Sequence, residues 1–222
     1  QSKKSDVEKV VLDIIQNVRK KKDQALFSLS KKFDGVELKT LKISRREILE
    51  AYKQESKEVV KALKIAKANI EKFHKTNVKK KEASVTTTKG VKVWREFRPI
   101  EKVGLYIPGG KASYPSTVLM LGVPARIAGC SEIVLCVPPG KDGKIPSAIL
   151  VAADICGISN IFKVGGAQAI VAMAYGTESI PKVSKIFGPG NNYVTTAKML
   201  VYGEVAIDMP AGPSEVLVFA DK

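Results

Sequence analysis

The sequence predicts an α/β protein: a helical N-terminal region with a β-hairpin, then a doubly wound, mainly parallel, Rossmann-like sheet. Three observations carry that expectation. Before residue 78, apolar side chains recur at helical spacing behind capping boxes. Residues 85–97 switch to a period of two. From Val103 onward, short apolar runs alternate with helical ones, the pattern of βαβ crossovers.

Taken in order, Ser5 with Glu8 has capping-box spacing, and Val7, Val10, Val11, Ile14, Ile15 and Val18 form one apolar stripe. Asp23 is expected to cap a second helix through Leu26, Leu29 and Phe33, closed by Asp34-Gly35. Ser44 with Glu47 opens a third helix, and Ser56 a fourth, whose Val59, Val60, Leu63, Ala66, Ile70 and Phe73 face one way. His74, the single histidine, lies near the end of that helix and reads as a solvated helix-end residue. Lys89-Gly90 turns the hairpin, and Arg98-Pro99 closes it. "VGLYIP", "EIVLCVP", "NIFKVGG", "KIFG" and "VAIDM" then read as strands, with "PSTVLMLGVPARIAG", "PSAILVAADICG", "AQAIVAMAYG" and "NNYVTTAKMLVYG" as the helices between them. "EVLVFA" is expected to be one more strand. The divisions are a basic helical region with hairpin over residues 1–99, a cofactor domain over 100–209, and the first strand of a second α/β domain over 210–222.

A hydrophobic fraction of 45% over 222 residues supports a substantial core. No apolar run approaches the roughly 20 residues that span a bilayer. The start, "QSKKSDVEKV", carries no apolar signal segment, so a cytoplasmic protein without a membrane partner is expected. Cys130, Cys136 and Cys156 lack metal-ligand spacing and sit among apolar residues, which reads as reduced core cysteines. The net charge of +15 is concentrated early: 27 of the 37 Lys and Arg lie in the first 100 residues, with 13 of the 22 Asp and Glu. These lysines interleave with Glu rather than massing with aromatics, so solvated helix faces are expected and not a nucleic-acid surface.

In a doubly wound sheet, ligands bind beyond the carboxyl ends of the strands. Four such ends carry glycine-rich loops: "YIPGG" (106–110), "VGGAQ" (164–168), "FGPGNN" (187–192) and "MPAGPSE" (209–215). Two run straight into helix N-termini, where free N–H groups favour a phosphate. Tyr106 offers a ring for stacking, Gln168 and Asn191 amides, and Ser214 a hydroxyl. No G-x-G-x-x-G follows the first strand, and the second ends in Val137-Pro138-Pro139 without an acid for a ribose hydroxyl. Walker A is absent too. A nucleotide is therefore held in some other way.

"VGLYIPGG", "STVLMLGVPARIAGC", "VGGAQAI", "GTESIPKVSKIFGPGNNYVTTAK" and "AIDMPAGPSEVLVFAD", in this order, closely resemble the histidinol dehydrogenases. The resemblance is dense from about Arg98 onward. It implies an NAD-dependent, zinc-requiring homodimer that oxidises L-histidinol to L-histidine through the aldehyde, with an aldehyde-dehydrogenase-like fold. By motif it makes Tyr106, Gln168 and Asn191 the NAD contacts and Ser214 a substrate contact. In that family a segment with zinc ligands, a Glu-His acid–base pair and further metal ligands follow. The sequence reaches Lys222 before any of them and opens on Gln1. The expectation is an N-terminal half with no catalytic or metal residues of its own and no activity alone. Two rivals remain open: an aldehyde-dehydrogenase-like enzyme with a cysteine nucleophile, and a basic nucleic-acid-binding module.

Overall fold

Residues 2–78, 82–109, 113–210 and 215–220 are described by the computed structural model of the chain, with side chains from Ser5 onward. The first of these segments is helical: α1 (Ser2–Phe33), α2 (Arg45–Gln54) and α3 (Lys57–Lys75). A hairpin of β1 (Val85–Thr88) and β2 (Val91–Val93) follows. Alternation then begins with β3 (Lys102–Tyr106), α4 (Pro115–Ile127), β4 (Glu132–Val137), α5 (Ser147–Ile155), β5 (Asn160–Lys163) and α6 (Gly166–Tyr175). It ends with β6 (Lys185–Phe187), α7 (Asn192–Val201) and β7 (Ala206–Ile207). No described helix is long and apolar enough to cross a membrane.

The main sheet has the order β5-β4-β3-β6-β7, and all of its pairings are parallel. The chain starts in the middle at β3, winds outward through β4 and β5, then returns to β6 on the other side. The register runs from Lys102 opposite Glu132 to Tyr106 opposite Cys136. Successive side chains point to opposite faces, and both faces are covered. Val103, Leu105, Ile107, Ile133, Leu135, Val137 and Ile161 pack on one side with α4, α5 and residues of α2 and α3. Tyr106, Val134, Cys136, Phe162 and Val164 pack on the other with α6, α7 and α1. Helix α6 is buried from Ala167 through Met173 to Ala174, as a helix apolar all round must be. It comes so close to β3 that a Cβ on Gly104 would sit 2.6 Å from Met173 Sδ.

The N-terminal helices differ from the sequence expectation in instructive ways. α1 already begins at Ser2, so Ser5 lies inside it rather than before it. The break expected at Asp23 is a kink at Lys22 (φ 46°, ψ −122°), not a gap between separate helices. The Asp23 carboxylate accepts from the Ser179 N–H at 3.3 Å, so a tertiary contact holds the kink. The box at Ser44 forms as expected: Ser44 Oγ accepts from the Glu47 N–H, and Glu47 Oε2 accepts from the Ser44 N–H at 2.8 Å. Ser56 caps α3. Of the expected α3 stripe only Leu63 is buried; Val60, Ala66 and Ile70 pack partly, and Val59 and Phe73 are exposed. Residues 41–43 run antiparallel beside β5, with Lys163 N–H donating to Leu41 O at 2.7 Å.

One expected strand is absent. Residues 215–220 lie outside any strand, and Val216, Leu217, Val218 and Phe219 are between 79% and 98% exposed. The β-branched composition suits a strand, but a strand needs a hydrogen-bonding neighbour, and no described residue takes that place.

Candidate functional site

β4 lies on one side of β3 and β6 on the other, so the winding reverses at β3, the place in such sheets where a crevice forms beyond the carboxyl ends of the strands. A cleft of about 1050 Å³ opens there. Tyr106, Gln168 and Asn191 all line it, so the structure brings together the three side chains selected from separate loops.

Tyr106 ends β3 with its ring inside the core, which corrects the expectation of an open stacking face. The physical reason is strand alternation: Leu105 faces one helix layer, so Tyr106 faces the other. Its hydroxyl accepts from the Gly166 N–H at 3.0 Å and so ties the start of α6 to the end of β3. Burial pushes the phenol up to about 12, with the Gly166 contact opposing. It is a fixed neutral group at physiological pH.

Gln168 lies in the first turn of α6 and is buried. The N-cap of this helix, Gly165, has no side chain to cap it, and of the first N–H groups the Tyr106 hydroxyl takes that of Gly166. Helices leave their first N–H groups without intrahelical partners, so beyond the Gly166 N–H, which Tyr106 holds, the start of α6 offers its remaining donors and a positive dipole end at the cleft. Pro138, at the end of β4, packs directly against both Gly109 and Gly165; a Cβ on Gly109 would meet Pro138 Cγ at 2.5 Å. Glycine in these loops is what allows three strand ends to close on one another.

Asn191 is the N-cap of α7, its Oδ1 accepting from the Val194 N–H at 3.1 Å. The cap uses one lone pair of Oδ1 and leaves the Nδ2 donors and the second lone pair unused by it. The preceding loop is held by a network that the sequence did not suggest. Gly188 has φ +132°, and a Cβ there would collide with the Tyr106 carbonyl oxygen. Its N–H donates to Asp208 Oδ2 at 2.9 Å, and its carbonyl accepts from Lys198 Nζ at 3.0 Å. Lys198 is buried and ion-paired with Asp208.

Of the fourth loop, only its first two residues and Glu215 are described. Met209 and Pro210 line a separate cavity of about 200 Å³ with Gly188 and Gly190. Ser214 lies outside the described residues.

Sequence reasoning missed Asp34, which also lines the main cleft. Asp34-Gly35 was legible only as a helix stop. Burial pushes the Asp34 carboxyl up, tempered by the Ser30 hydroxyl, which stands beside it but outside hydrogen-bonding geometry. The other chemical candidates recede. All three cysteines are buried; burial raises each thiol, Cys156 to about 11. A thiol held protonated is a poor nucleophile. His74 packs edge-on to Phe73 at the end of α3, with ring centroids 5.2 Å apart. No group of three or more His, Cys, Asp or Glu among the described residues could hold a metal ion.

Three comparisons agree with one another. The family model described as "Histidinol dehydrogenase" matches residues 1–222. A histidinol dehydrogenase of Methanocaldococcus jannaschii is 54% identical over 212 residues, 96% of this chain and 49% of that protein. One from Bacteroides thetaiotaomicron is 58% identical over 214 residues, 95% of this chain and 49% of that protein. The crystal structure of histidinol dehydrogenase from Elizabethkingia anophelis superposes with a TM-score of 0.90 at 51% identity, covering 94% of this chain and 48% of that one. The chain spans about half the length of the curated relatives it matches.

Proposed function

The chain belongs to the histidinol dehydrogenase family, and from that membership we propose that its cleft is the NAD+ site of an enzyme oxidising L-histidinol to L-histidine through the aldehyde. The observation that carries the proposal is the meeting of Tyr106, Gln168 and Asn191 on one cleft beside the start of α6. The described residues fit a dinucleotide. The volume is ample, and Lys32, Lys141 and the half-buried Asp34 line it beside the start of α6.

When bound, the nicotinamide supplies the hydride acceptor. The chain's own residues bind and orient it. The α6 N-terminus is suited to the pyrophosphate, with Lys32 and Lys141 also lining the cleft. Tyr106 fixes that helix start through Gly166, and Gln168 and the Nδ2 of Asn191 supply the polar contacts. Ser214 is assigned to the substrate on the motif resemblance alone. Alcohol oxidation also needs a base for the hydroxyl proton. Tyr106 and the thiols hold their protons at neutral pH, so none of them supplies the base. The described residues offer no cluster that fits the zinc implied by the resemblance. The homodimer and a cytoplasmic setting, with no nucleic-acid or membrane partner, belong to the same reading.

Calorimetric titration of the chain with NAD+ tests this. Saturable binding is expected, weakened about tenfold or more in Gln168→Ala and Asn191→Ala, the scale of one lost polar contact. Absence of binding at millimolar NAD+, or undiminished binding in both variants, would overturn it. The chain alone, with histidinol, NAD+ and zinc, is expected to yield no NADH.

A further inference from the structure

In doubly wound folds the carboxylate that meets the ribose hydroxyls of a dinucleotide commonly follows the second strand of the motif. That strand here is β4, which ends in Val137-Pro138-Pro139 with no acid. The fold brings one there from far away in the chain. After α1 ends at Phe33, the chain passes the turn that follows β4. Val36 lies against Gly143, where an added Cβ would be 3.3 Å from Val36 Cγ1. The chain then pairs beside β5 at Leu41. This path sets Asp34 in the cleft alongside Pro138 and Tyr106, the one carboxylate among its described lining residues.

The position is costly for an acid. Asp34 Oδ2 is enclosed and has no hydrogen-bond partner among the described residues, and neither does Ser30 Oγ beside it. Asp34 also sits just past the C-terminus of α1, where the helix dipole disfavours negative charge. A residue needed only to stop a helix before Gly35 requires no carboxylate at all. The residue as a whole is only half-buried and lines the cleft, so its carboxylate can also take hydroxyl donors from a ligand there. The rest of the cleft favours anions, with Lys32, Lys141 and the α6 N-terminus around it.

Resting on the dinucleotide reading, we infer that Asp34 accepts the adenosine ribose hydroxyls of the cofactor and repels a 2′-phosphate, which makes this cleft selective for NAD+ over NADP+. Neutralising Asp34 leaves the lysines in place, so the lost discrimination has a direction: NADP+ gains while NAD+ weakens.

The experiment is calorimetric titration of the wild-type chain, Asp34→Asn and Asp34→Ser with NAD+ and with NADP+, with thermal unfolding as the folding control. The wild type is expected to prefer NAD+ at least tenfold. In both variants NAD+ weakens about tenfold, the scale of one hydrogen bond to a charged group, and the preference falls to within a few-fold. Both variants are expected to unfold no earlier than the wild type, so lost affinity cannot be ascribed to lost fold. If NAD+ binds and both variants keep the wild-type preference, the Asp34 assignment is overturned while the cofactor site stands. If neither nucleotide binds the wild type, the cofactor reading falls, and Asp34 with it.

Discussion

Lys198 on α7 and Asp208 at the end of β7 form an ion pair that grips both backbone groups of one residue: the Gly188 carbonyl accepts from Lys198 Nζ, and the Gly188 N–H donates to Asp208. The loop between β6 and α7 is thereby fixed from two sides. It carries Asn191 into the cleft, so a pair that does not line that cleft sets where one of its side chains stands.

Breaking that pair from one side is expected to be severe. Lys198→Met leaves the Asp208 carboxylate partly enclosed without its counter-charge, at a cost of about 2–3 kcal/mol. Urea unfolding of Lys198→Met, Asp208→Asn and the double variant measures it. The double variant is expected to lose less than the sum of the singles, because the partners share one interaction. Strict additivity would show that the pair does not act as a unit.

Gly188→Ala is expected to exceed either charge change. The new Cβ would meet the Tyr106 carbonyl oxygen at a φ of +132°, on backbone held by two hydrogen bonds. A loss of about 3 kcal/mol or failure to fold is expected. Gly203→Ala is the control: φ is +108° there too, yet no atom lies within 4 Å of the added Cβ. Its cost is expected to be about 1–2 kcal/mol, from backbone strain alone. Equal effects in the two variants would remove the collision as the cause.

Tyr106→Phe removes the acceptor of the Gly166 N–H and is expected to cost about 1 kcal/mol in unfolding free energy. The phenol itself gives a second readout. With Tyr106 pushed up to about 12, the absorbance difference between wild type and variant should develop only toward that pH. Tyrosinate absorbance missing from the variant near pH 10, the ordinary value, would mean that the ring is not buried as described.

The three thiols are expected to resist iodoacetamide in the folded chain and to react fully once it is unfolded. Rapid stoichiometric labelling of one thiol in the native state would restore a cysteine nucleophile and with it the rival aldehyde-oxidising chemistry.

What was legible in the sequence had local causes. The capping box at Ser44 needs only residues 44–47, and the strand–helix alternation after Val103 needs only runs of apolar residues. The three cleft loops were legible because glycine and amides stand where strands end. What was missed was tertiary. The kink at Lys22 depends on Ser179, and the burial of Tyr106 depends on which helix layer covers its face of the sheet. Asp34 becomes part of the cleft only when α1 is laid across the sheet, and the Lys198–Asp208 pair forms only when α7 packs beside β7. Residues 215–220 erred the other way, with strand composition but no described neighbour to pair with.

Two carboxylates should imprint opposite signs on stability against pH. Glu47 is held low: burial works against the charge, but the Ser44 N–H and hydroxyl and the Lys163 ammonium outweigh it. Its contribution is present above its unfolded value and is lost as pH falls through the lower folded one. Glu47→Gln should therefore flatten the acid limb of the stability profile. Asp34 is held high by burial, so the folded chain binds its proton more tightly than the unfolded chain does. Stability from this group falls as pH rises from the unfolded value through the folded one, and the loss persists at neutral pH. Asp34→Asn removes the loss. Relative to the wild type, its stability should rise through that window and level off above it. Urea unfolding at intervals between roughly pH 3 and 8 reads both effects, a span covering ordinary carboxyl titration and its upward shifts. An Asn variant that is less stable than the wild type at neutral pH would mean that the Asp34 charge stabilises the folded chain. The carboxylate would then be satisfied within the fold itself, which removes the reason to assign it a ligand.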